Sequence, residues 1–515
     1  MSAVFERADI ERFRNIVGQE LGLRFEDDKL ESLADILRER MDALGCSRFG
    51  AYESHLRGRG RGEVRALSGR LTVAETYFFR YWDHFRAFTE VVLPERARAL
   101  SDRRRLRILS AGCASGEEAY SLAILVRDHL PDRESWDVKI LGIDVNPSMI
   151  EKASRGRYSR WSLRETPAEA QARNFRSDGG QFELDESVRA MVTFQERNLV
   201  DDDPLFWQPN AFDVVFCRNV LMYFRPEAMR AVVHRIWGSL SAGGFLFMGH
   251  AETLRGVTHG FHLRHTHETF YYQRRDASEA DAPQLTPPTL EPRSTPGQRP
   301  ATSLDLGDSS WVDAIQRASD RIVQLSRAPQ TAQVAQSSPP SPTQGGQPHL
   351  DLGPAEELLR QERFVDAMAL LHALPSSSLG DPDAQLLRAA LLTNSGQLRE
   401  AETVCAQILS SDELNAGAHY LMALCREHAD DRVAAIEHDQ AATYLDAAFA
   451  MPHLHLGLLA KRAGDLGKAR AALGRALDLL AREDASRVLL FGGGFSRDAL
   501  VELCRSELRA SGGGS

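Results

Sequence analysis

Six cysteines are all that the 515 residues contain, and no two of them form a C-x-x-C pair. Cys46, Cys113, Cys217, Cys405, Cys425 and Cys504 are scattered, which argues against a disulfide scaffold and structural zinc and predicts a reduced, cytoplasmic chain. Positive charge is also short. Against 72 aspartates and glutamates stand 62 lysines and arginines, and the net charge of −10 argues against general affinity for nucleic acid. No apolar run approaches the roughly 18 residues of a membrane span, so no insertion into a membrane is expected. The opening MSAVFERADIERF lacks the apolar segment of a secretory signal. Phosphate-binding signatures are missing too. LSAGCASGEEAYSLAI (109–124) carries glycines after an apolar run but matches neither G-x-G-x-x-G nor G-x-x-x-x-G-K-[ST]. FGGGF (491–495) has no following lysine and reads as a turn.

What is present is an ordinary globular composition, 43% hydrophobic and 26% charged, in a chain too long for one core. Residues 1–95 read as an all-helical domain, because IERFRNIVGQEL and DDKLESLADILRERM place apolar residues three and four apart. Within it, GRGRGEVRALSGR is basic, either a solvated face or a docking patch for an acidic partner. Residues 96–275 alternate strands with helices. RLRILSA, VKILGID, MVTFQERNL and FDVVFCRNVL suit buried parallel strands, and GGFLFMGH and HETFYYQRR read as two more. Helices are expected in EEAYSLAILVRDHL, PSMIEKASRG and PEAMRAVVHRIWGSL, with Pro147 and Pro226 at first helical positions. This is the pattern of a doubly wound, Rossmann-like α/β domain. SDGGQFELD, in an insertion over about 157–192, predicts a small β-hairpin.

Residues 276–350 are rich in Pro, Ser and Gln and read as a disordered linker, with WVDAIQRASDRIVQLSRA as a transient helix inside it. Residues 351–485 repeat. Ala367, Ala401, Ala435 and Ala469 recur every 34 residues, as do Ala389, Ala423 and Gly457, and Ile408, Ala442 and Ala476. That is the period of tetratricopeptide repeats, an all-α solenoid, and residues 486–515 read as a capping helix and tail.

Candidate site residues fall at strand ends of the α/β region. Ser115-Gly116-Glu117-Glu118 matches the capping-box pattern, so Glu118 either caps a helix or faces a cationic ligand such as an amine or sulfonium. Asp144 ends the second strand, where an acid takes ribose hydroxyls or caps the helix at Pro147. Asn198-Leu199 offers a polar and an apolar group to an adenine ring, although Asn is common in turns. In CRNVLMYF (217–224), Arg218 and Asn219 close an apolar strand, as a structural ion pair or as ligand contacts. Ribose recognition without a phosphate cradle points to a nucleoside cofactor, S-adenosylmethionine.

Together LTVAETYFFR (71–80), ILSAGCASGEEAYSLAI (108–124), GIDVN (142–146), NL (198–199), FDVVFCRNVLMYF (212–224) and GHAE (249–252) resemble the chemotaxis receptor methyltransferases of the CheR family, over about residues 1–275. The resemblance implies that Thr76, Arg80, Glu118, Asp144, Asn198, Leu199, Arg218 and Asn219 bind S-adenosylmethionine, with Arg80 and Tyr223 near the transferred methyl group. It also implies that the β-subdomain helps to dock the receptor. Three positions depart from the family pattern. Ala119 replaces a proline, Ala74 an asparagine, and Ala251 a serine.

The implied reaction is methyl transfer to glutamate side chains on the cytoplasmic helices of methyl-accepting receptors. A glutamate of pKa about 4.3 is already ionised at neutral pH, so neither a general base nor a metal is required. The repeats are expected to bind a protein not identified by sequence. His259, His262, His265 and His267 raise zinc as an alternative, with His265 and His267 on one strand face. The same residues are compatible with two other functions: methylation of another substrate, and a non-catalytic repeat scaffold or cofactor sensor.

Overall fold

The structure is a computed structural model that describes residues 6–59, 61–250, 252–275, 353–360, 364–372, 381–493 and 495–512. The expected linker at 276–350 and the departure at Ala251 lie outside the described residues. The chain divides into two compact units, 1–283 and 284–515.

The first unit opens with helices α1 (Arg7–Glu20), α2 (Leu30–Ala43), α3 (Phe49–Arg59) and α4 (Arg61–Leu71). Phe13, Ile16 and Val17 of α1 meet Leu33, Leu37 and Met41 of α2 in a core closed by Tyr52, Leu56 and Leu67, as the three-and-four spacing predicts. Beneath it, Glu63 is buried, takes two bonds from Arg40 (2.9 and 2.8 Å) and accepts from Tyr52 (2.8 Å). A short α5 (Trp82–Ala87), a π-turn (Phe88–Val92) and α6 (Leu93–Ala99) lead into the sheet.

Seven strands make that sheet: β1 (Arg105–Ala111), β2 (Asp137–Asp144), β6 (Val192–Glu196), β7 (Phe212–Cys217), β8 (Leu240–Met248), β9 (Phe261–Thr266) and β10 (Thr269–Arg274), in the order β6-β2-β1-β7-β8-β10-β9. The first five are parallel, and β10 and β9 complete the edge antiparallel. Between them run α7 (Glu117–His129), α8 (Pro147–Arg155), α9 (Ala168–Asn174), α10 (Glu186–Arg189) and α11 (Pro226–Ser239). Pro147 and Pro226 do start α8 and α11. Residues of β7 are buried throughout, as expected of a strand covered on both faces. The insertion forms a three-stranded sheet of β3 (Arg157–Tyr158), β5 (Gln181–Leu184) and β4 (Phe175–Asp178), and Gly179-Gly180 is the hairpin turn.

One strand departs from the reading. FHLRHT forms β9 and pairs along its whole length with β10, so His262 lies in a strand as well as His265. Its alternation is masked by histidine and arginine side chains. His267 and Glu268, both at positive φ (53° and 54°), form the turn of this hairpin, so His267 does not share a strand face with His265. His265 stacks on Phe270 at 4.2 Å and His267 meets Glu90 at 2.9 Å. No group of metal-ligating side chains occurs among the described residues.

The second unit holds α12 (Gly353–Arg360) and α13 (Phe364–His372), then three helix hairpins: α14 (Pro382–Asn394) with α15 (Leu398–Ser411), α16 (Ala416–His428) with α17 (Arg432–Leu445), and α18 (Ala450–Arg462) with α19 (Leu466–Leu480). First helices begin at 382, 416 and 450, and second helices at 398, 432 and 466, so the 34-residue period is realised in the helix register. The repeated Ala389, Ala423, Ala401, Ala435 and Ala469 are fully buried, which lets paired helices approach closely. α20 (Ala485–Phe491) and α21 (Arg497–Ala510) complete the unit, the latter packed on α19 and capped by Ser496.

Candidate functional site

Parallel register sets the site. Ala111 pairs with Ile143, Ser110 with Phe216, and Asp144 with Glu196, so β1, β2, β6 and β7 end at one level. The chain reverses direction across the sheet between β2 and β7, on either side of β1, and α/β folds take ligands outside the carboxyl ends at such a point. A cavity of about 350 Å³ opens there. Thr76, Arg80, Glu118, Asp144, Asn198, Leu199, Arg218, Asn219 and Tyr223 all line it. The sequence scatters these side chains over nearly 150 positions, and the strand ends bring them together.

Gly112 and Gly116 shape the floor. Gly112 has φ of 73°, and a Cβ there would collide with Val220. Gly116, with φ of 90°, is the N-cap of α7 and supplies no side chain. The capping-box reading of Ser115 and Glu118 therefore fails. Ser115 Oγ donates to Glu117 Oε2 at 2.7 Å, and Glu118 turns the other way, accepting from Ser110 Oγ at 2.7 Å and facing Arg218 Nε at 3.5 Å. Burial holds the Glu118 carboxyl above its ordinary range, against the pull of Arg218 and Ser110. The same burial lowers the pKa of the Arg218 guanidinium.

Asp144 is not the cap of α8; Asn146 is, accepting from Ser148 N at 3.1 Å. Asp144 accepts backbone N–H groups from Ala114 (2.9 Å) and Asn146 (2.8 Å), while burial pushes its pKa up. A carboxylate oxygen has further lone pairs, so acceptor capacity remains for hydroxyl donors. Asn198 is partly committed: its Nδ2 donates to Glu20 O at 2.7 Å, tying the helical part to the α/β part. One Nδ2 hydrogen remains. Leu199 is buried.

Arg80 rides on a bent segment in which Phe79 and Tyr81 have φ of 58° and 61°. Ala114 (45°) and Asn219 (58°) add two more non-glycine residues in the left-handed region, so backbone strain gathers in the loops that carry the site. The Arg80 Nη1 donates to Glu75 O at 2.7 Å, and its guanidinium lies 5.2 Å from the Tyr81 ring centre. Arg218 donates to the Arg80 carbonyl and lies over Tyr81 (5.6 Å) and Phe85 (5.3 Å). Arg80 Nε and Arg218 Nη1 are buried and have no hydrogen-bond partner among the described residues. Tyr223 is 38% exposed, at the mouth.

Two groups of contributors were not singled out from sequence. Glu252, the last residue of GHAE, is buried and accepts four backbone N–H groups: Asn219 (2.6 Å), Val220 (2.9 Å), Met222 (3.0 Å) and Gly249 (2.8 Å). It holds the loop that carries Asn219 and Tyr223, and its place in the motif was the available signal. The other group is the helical part itself. Leu21, Leu23, Phe25 and Leu71 form apolar wall of the cavity, fixed by a bridge between Leu23 and Phe224 and by bonds from Arg24 N to Tyr223 O (2.8 Å) and Arg225 N to Gly22 O (2.7 Å). No sequence period marks that contact.

The basic segment is largely spent internally where it is described. Arg57 pairs with Glu53 (3.1 Å), Arg65 with Glu196 (2.8 Å) and Arg70 with Glu39 (2.5 Å). Ala74 lines the cavity, and Ala119 is fully buried in α7.

Chemically, the cavity offers a carboxylate beside two guanidinium groups with spare donors, a second carboxylate at a neighbouring strand end, and an apolar wall. This set fits S-adenosylmethionine. Its amino-acid end is zwitterionic, its ribose brings hydroxyl donors, and its adenine is an apolar plate with polar edges.

Two family descriptions match the chain: "CheR methyltransferase, all-alpha domain" over residues 8–72, and "CheR methyltransferase, SAM binding domain" over 74–270. The chain is 31% identical to chemotaxis protein methyltransferase 2 of Vibrio cholerae over 281 residues, 54% of this chain and 96% of that protein. It is 32% identical to chemotaxis protein methyltransferase 1 of Pseudomonas aeruginosa over 256 residues, 48% of this chain and 92% of that one. It is 29% identical to the probable biofilm formation methyltransferase WspC of Pseudomonas aeruginosa over 466 residues, 90% of this chain and 98% of that protein, so the likeness runs through the repeats.

Proposed function

The chain belongs to the CheR family of S-adenosylmethionine-dependent methyltransferases, and on that premise we propose how its own residues serve methyl transfer to receptor glutamates. The observation that carries the reading is the gathering of Glu118, Asp144, Arg80 and Arg218 around one cavity, with buried guanidinium nitrogens left unpaired. Bound there, S-adenosylmethionine supplies a methyl group activated on a sulfonium sulfur. Glu118 and Arg218 hold the two charges of its amino-acid end, Asp144 takes the ribose hydroxyls, and Asn198 and Leu199 flank the base. Thr76 and Asn219 line the same pocket and complete the set.

The acceptor glutamate needs no activation beyond its ionised state. The work left to the protein is positioning and exclusion of water. Arg80 orients the incoming carboxylate through its free Nε, and Tyr223 at the mouth shapes the path to the methyl group. The β3–β5–β4 sheet and the exposed part of the basic helices are the surfaces that meet the receptor. The 34-residue hairpins bind a further protein. The likeness that extends through the repeats favours a receptor serving biofilm formation over one serving chemotaxis.

Incubating the full chain with methyl-labelled S-adenosylmethionine and receptor cytoplasmic domains tests the reading. Base-labile label on receptor glutamates is expected. Label that resists base, or appears on another residue type, refutes it.

A further inference from the structure

In the repeat unit, α20 begins within one residue of the 34-residue register but does not pack on α19 as a next first helix would. α21 already packs on α19 as an end cap, so α20 is not needed to close the solenoid. It instead crosses the face formed by the first helices of the hairpins. Leu489 and Leu490 pack against a cluster of Ala355, Ala367, Leu371, Leu387 and Leu391, from α12, α13 and α14. Phe491, only 5% exposed, sits edge-on to Phe449 (5.0 Å) and Tyr420 (6.0 Å). It fills a notch at Gly417, where a Cβ would meet its ring at 2.8 Å and Leu386 at 3.1 Å. Tyr420 Oη donates to the Phe491 carbonyl at 3.3 Å.

Charge completes the fit. Arg487 reaches Asp446 at 3.0 Å and Glu483 at 3.4 Å, and its guanidinium lies 4.4 Å from the centre of the Phe449 ring. The occupant thus reads as a base, an aliphatic stretch and an aromatic, Arg487-Val488-Leu489-Leu490-Phe491. It is a seven-residue helix, too short to hold itself together in water, and Gly492-Gly493 follow it directly. The glycine-rich stretch after α20 is what would let the helix swing away while α21 stays on α19.

We infer that α20 is an internal stand-in on a protein-docking face, and that the partner of the repeats presents a segment of the same chemistry which displaces it: a basic residue, two or three aliphatics, then an aromatic. This deepens the reading of the repeats as a protein-binding module and does not depend on methyl transfer. The acid pair Asp446–Glu483 selects the base, the Gly417 notch selects the aromatic ring, and the cluster under Leu489 and Leu490 takes the aliphatics.

The probe is a fluorescent peptide of sequence DASRVLLFGG, titrated into the full chain. Phe491→Ala should bind it at least tenfold more tightly than the natural chain, because the internal competitor is weakened. Adding Tyr420→Ala should abolish that gain. A second measurement needs no variant. In the natural chain, excess peptide should speed hydrogen exchange at the amides of 485–491 and leave α18 and α19 unchanged. Equal affinity of the natural chain and Phe491→Ala, or an exchange pattern that peptide does not alter, overturns the proposal. So does a light-scattering mass of two chains that the peptide does not reduce, since the occupant would then be a second copy. A receptor captured by the repeats with 485–491 still protected would keep the module a binding unit and refute only this inference.

Discussion

Replacing Glu252 with Gln changes one oxygen into an amide and leaves the shape almost intact. The two carboxylate oxygens divide four N–H donors between them, Val220 and Met222 on Oε1, Asn219 and Gly249 on Oε2. An amide oxygen can serve one pair; its NH2 then faces the other pair, donor against donor. Two bonds to a charged acceptor are lost, at about 1.5–3 kcal/mol each. Relaxation of the loop keeps the net loss near the low end, about 3 kcal/mol. For a unit of this size that lowers the melting temperature by roughly 6–12 °C. The same loop carries Asn219 and Tyr223, so affinity for S-adenosylhomocysteine should fall at least tenfold. Calorimetric titration and thermal unfolding of the full-length Glu252→Gln protein read both quantities. Unchanged melting together with unchanged affinity would show that Glu252 does not hold the loop, and the account of how the site is built would be wrong.

Other expectations follow from the same geometry. Arg80→Ala should weaken cofactor binding, measured by titration, and at saturating cofactor the rate of methyl transfer should still drop tenfold or more; an unchanged rate with cofactor bound removes the orienting role. Receptor affinity should weaken as ionic strength rises, but modestly, because Arg57, Arg65 and Arg70 are already paired; a steep salt dependence would place the receptor contact on charges these pairs do not hold. Methyl transfer should proceed equally in a chelator, and loss of activity restored by one divalent metal would refute the metal-free reading. In the repeats, burial disfavours a charged His455, but Asp439 and Glu427 outweigh it and push its pKa up to about 9. A raised folded-state pKa contributes stability that is complete below about 6.5 and is lost as pH rises through about 9. Melting of the repeat unit should therefore fall between those values in the natural chain and flatten in His455→Gln; a slope unaltered by the substitution rules this histidine out.

Much of the site was legible because strand ends leave a mark. Asp144 after VKILGI and Arg218 after FDVVFC interrupt apolar runs, and a charge there needs a purpose. The repeats were legible for a similar reason: close helix packing demands small residues at a fixed interval. What short-range pattern cannot carry is contact across long separation. Glu118 and Glu117 are adjacent in sequence, and only the positions of Ser110 and Arg218 decide which of them faces the cavity. Asn198 looks like a free amide until Glu20 is beside it. β9 hides its alternation behind histidines, and α20 keeps the start of a next repeat while its contacts go to a groove, which the period does not reveal.

The wall that Leu21, Leu23 and Phe25 give to the cavity has a thermodynamic consequence. A ligand that fills this space touches the helical part and the strand ends at once, so it binds the docked arrangement more tightly than any arrangement in which the two have parted. At a hundredfold excess over Kd, and with no binding to the parted state, that linkage adds at most about 2.7 kcal/mol to the docked arrangement, which includes the Arg225 to Gly22 bond. On the proposed placement of the methyl donor, cofactor occupancy and cohesion of the first unit form a single equilibrium, in which the donor acts as mortar as well as reagent.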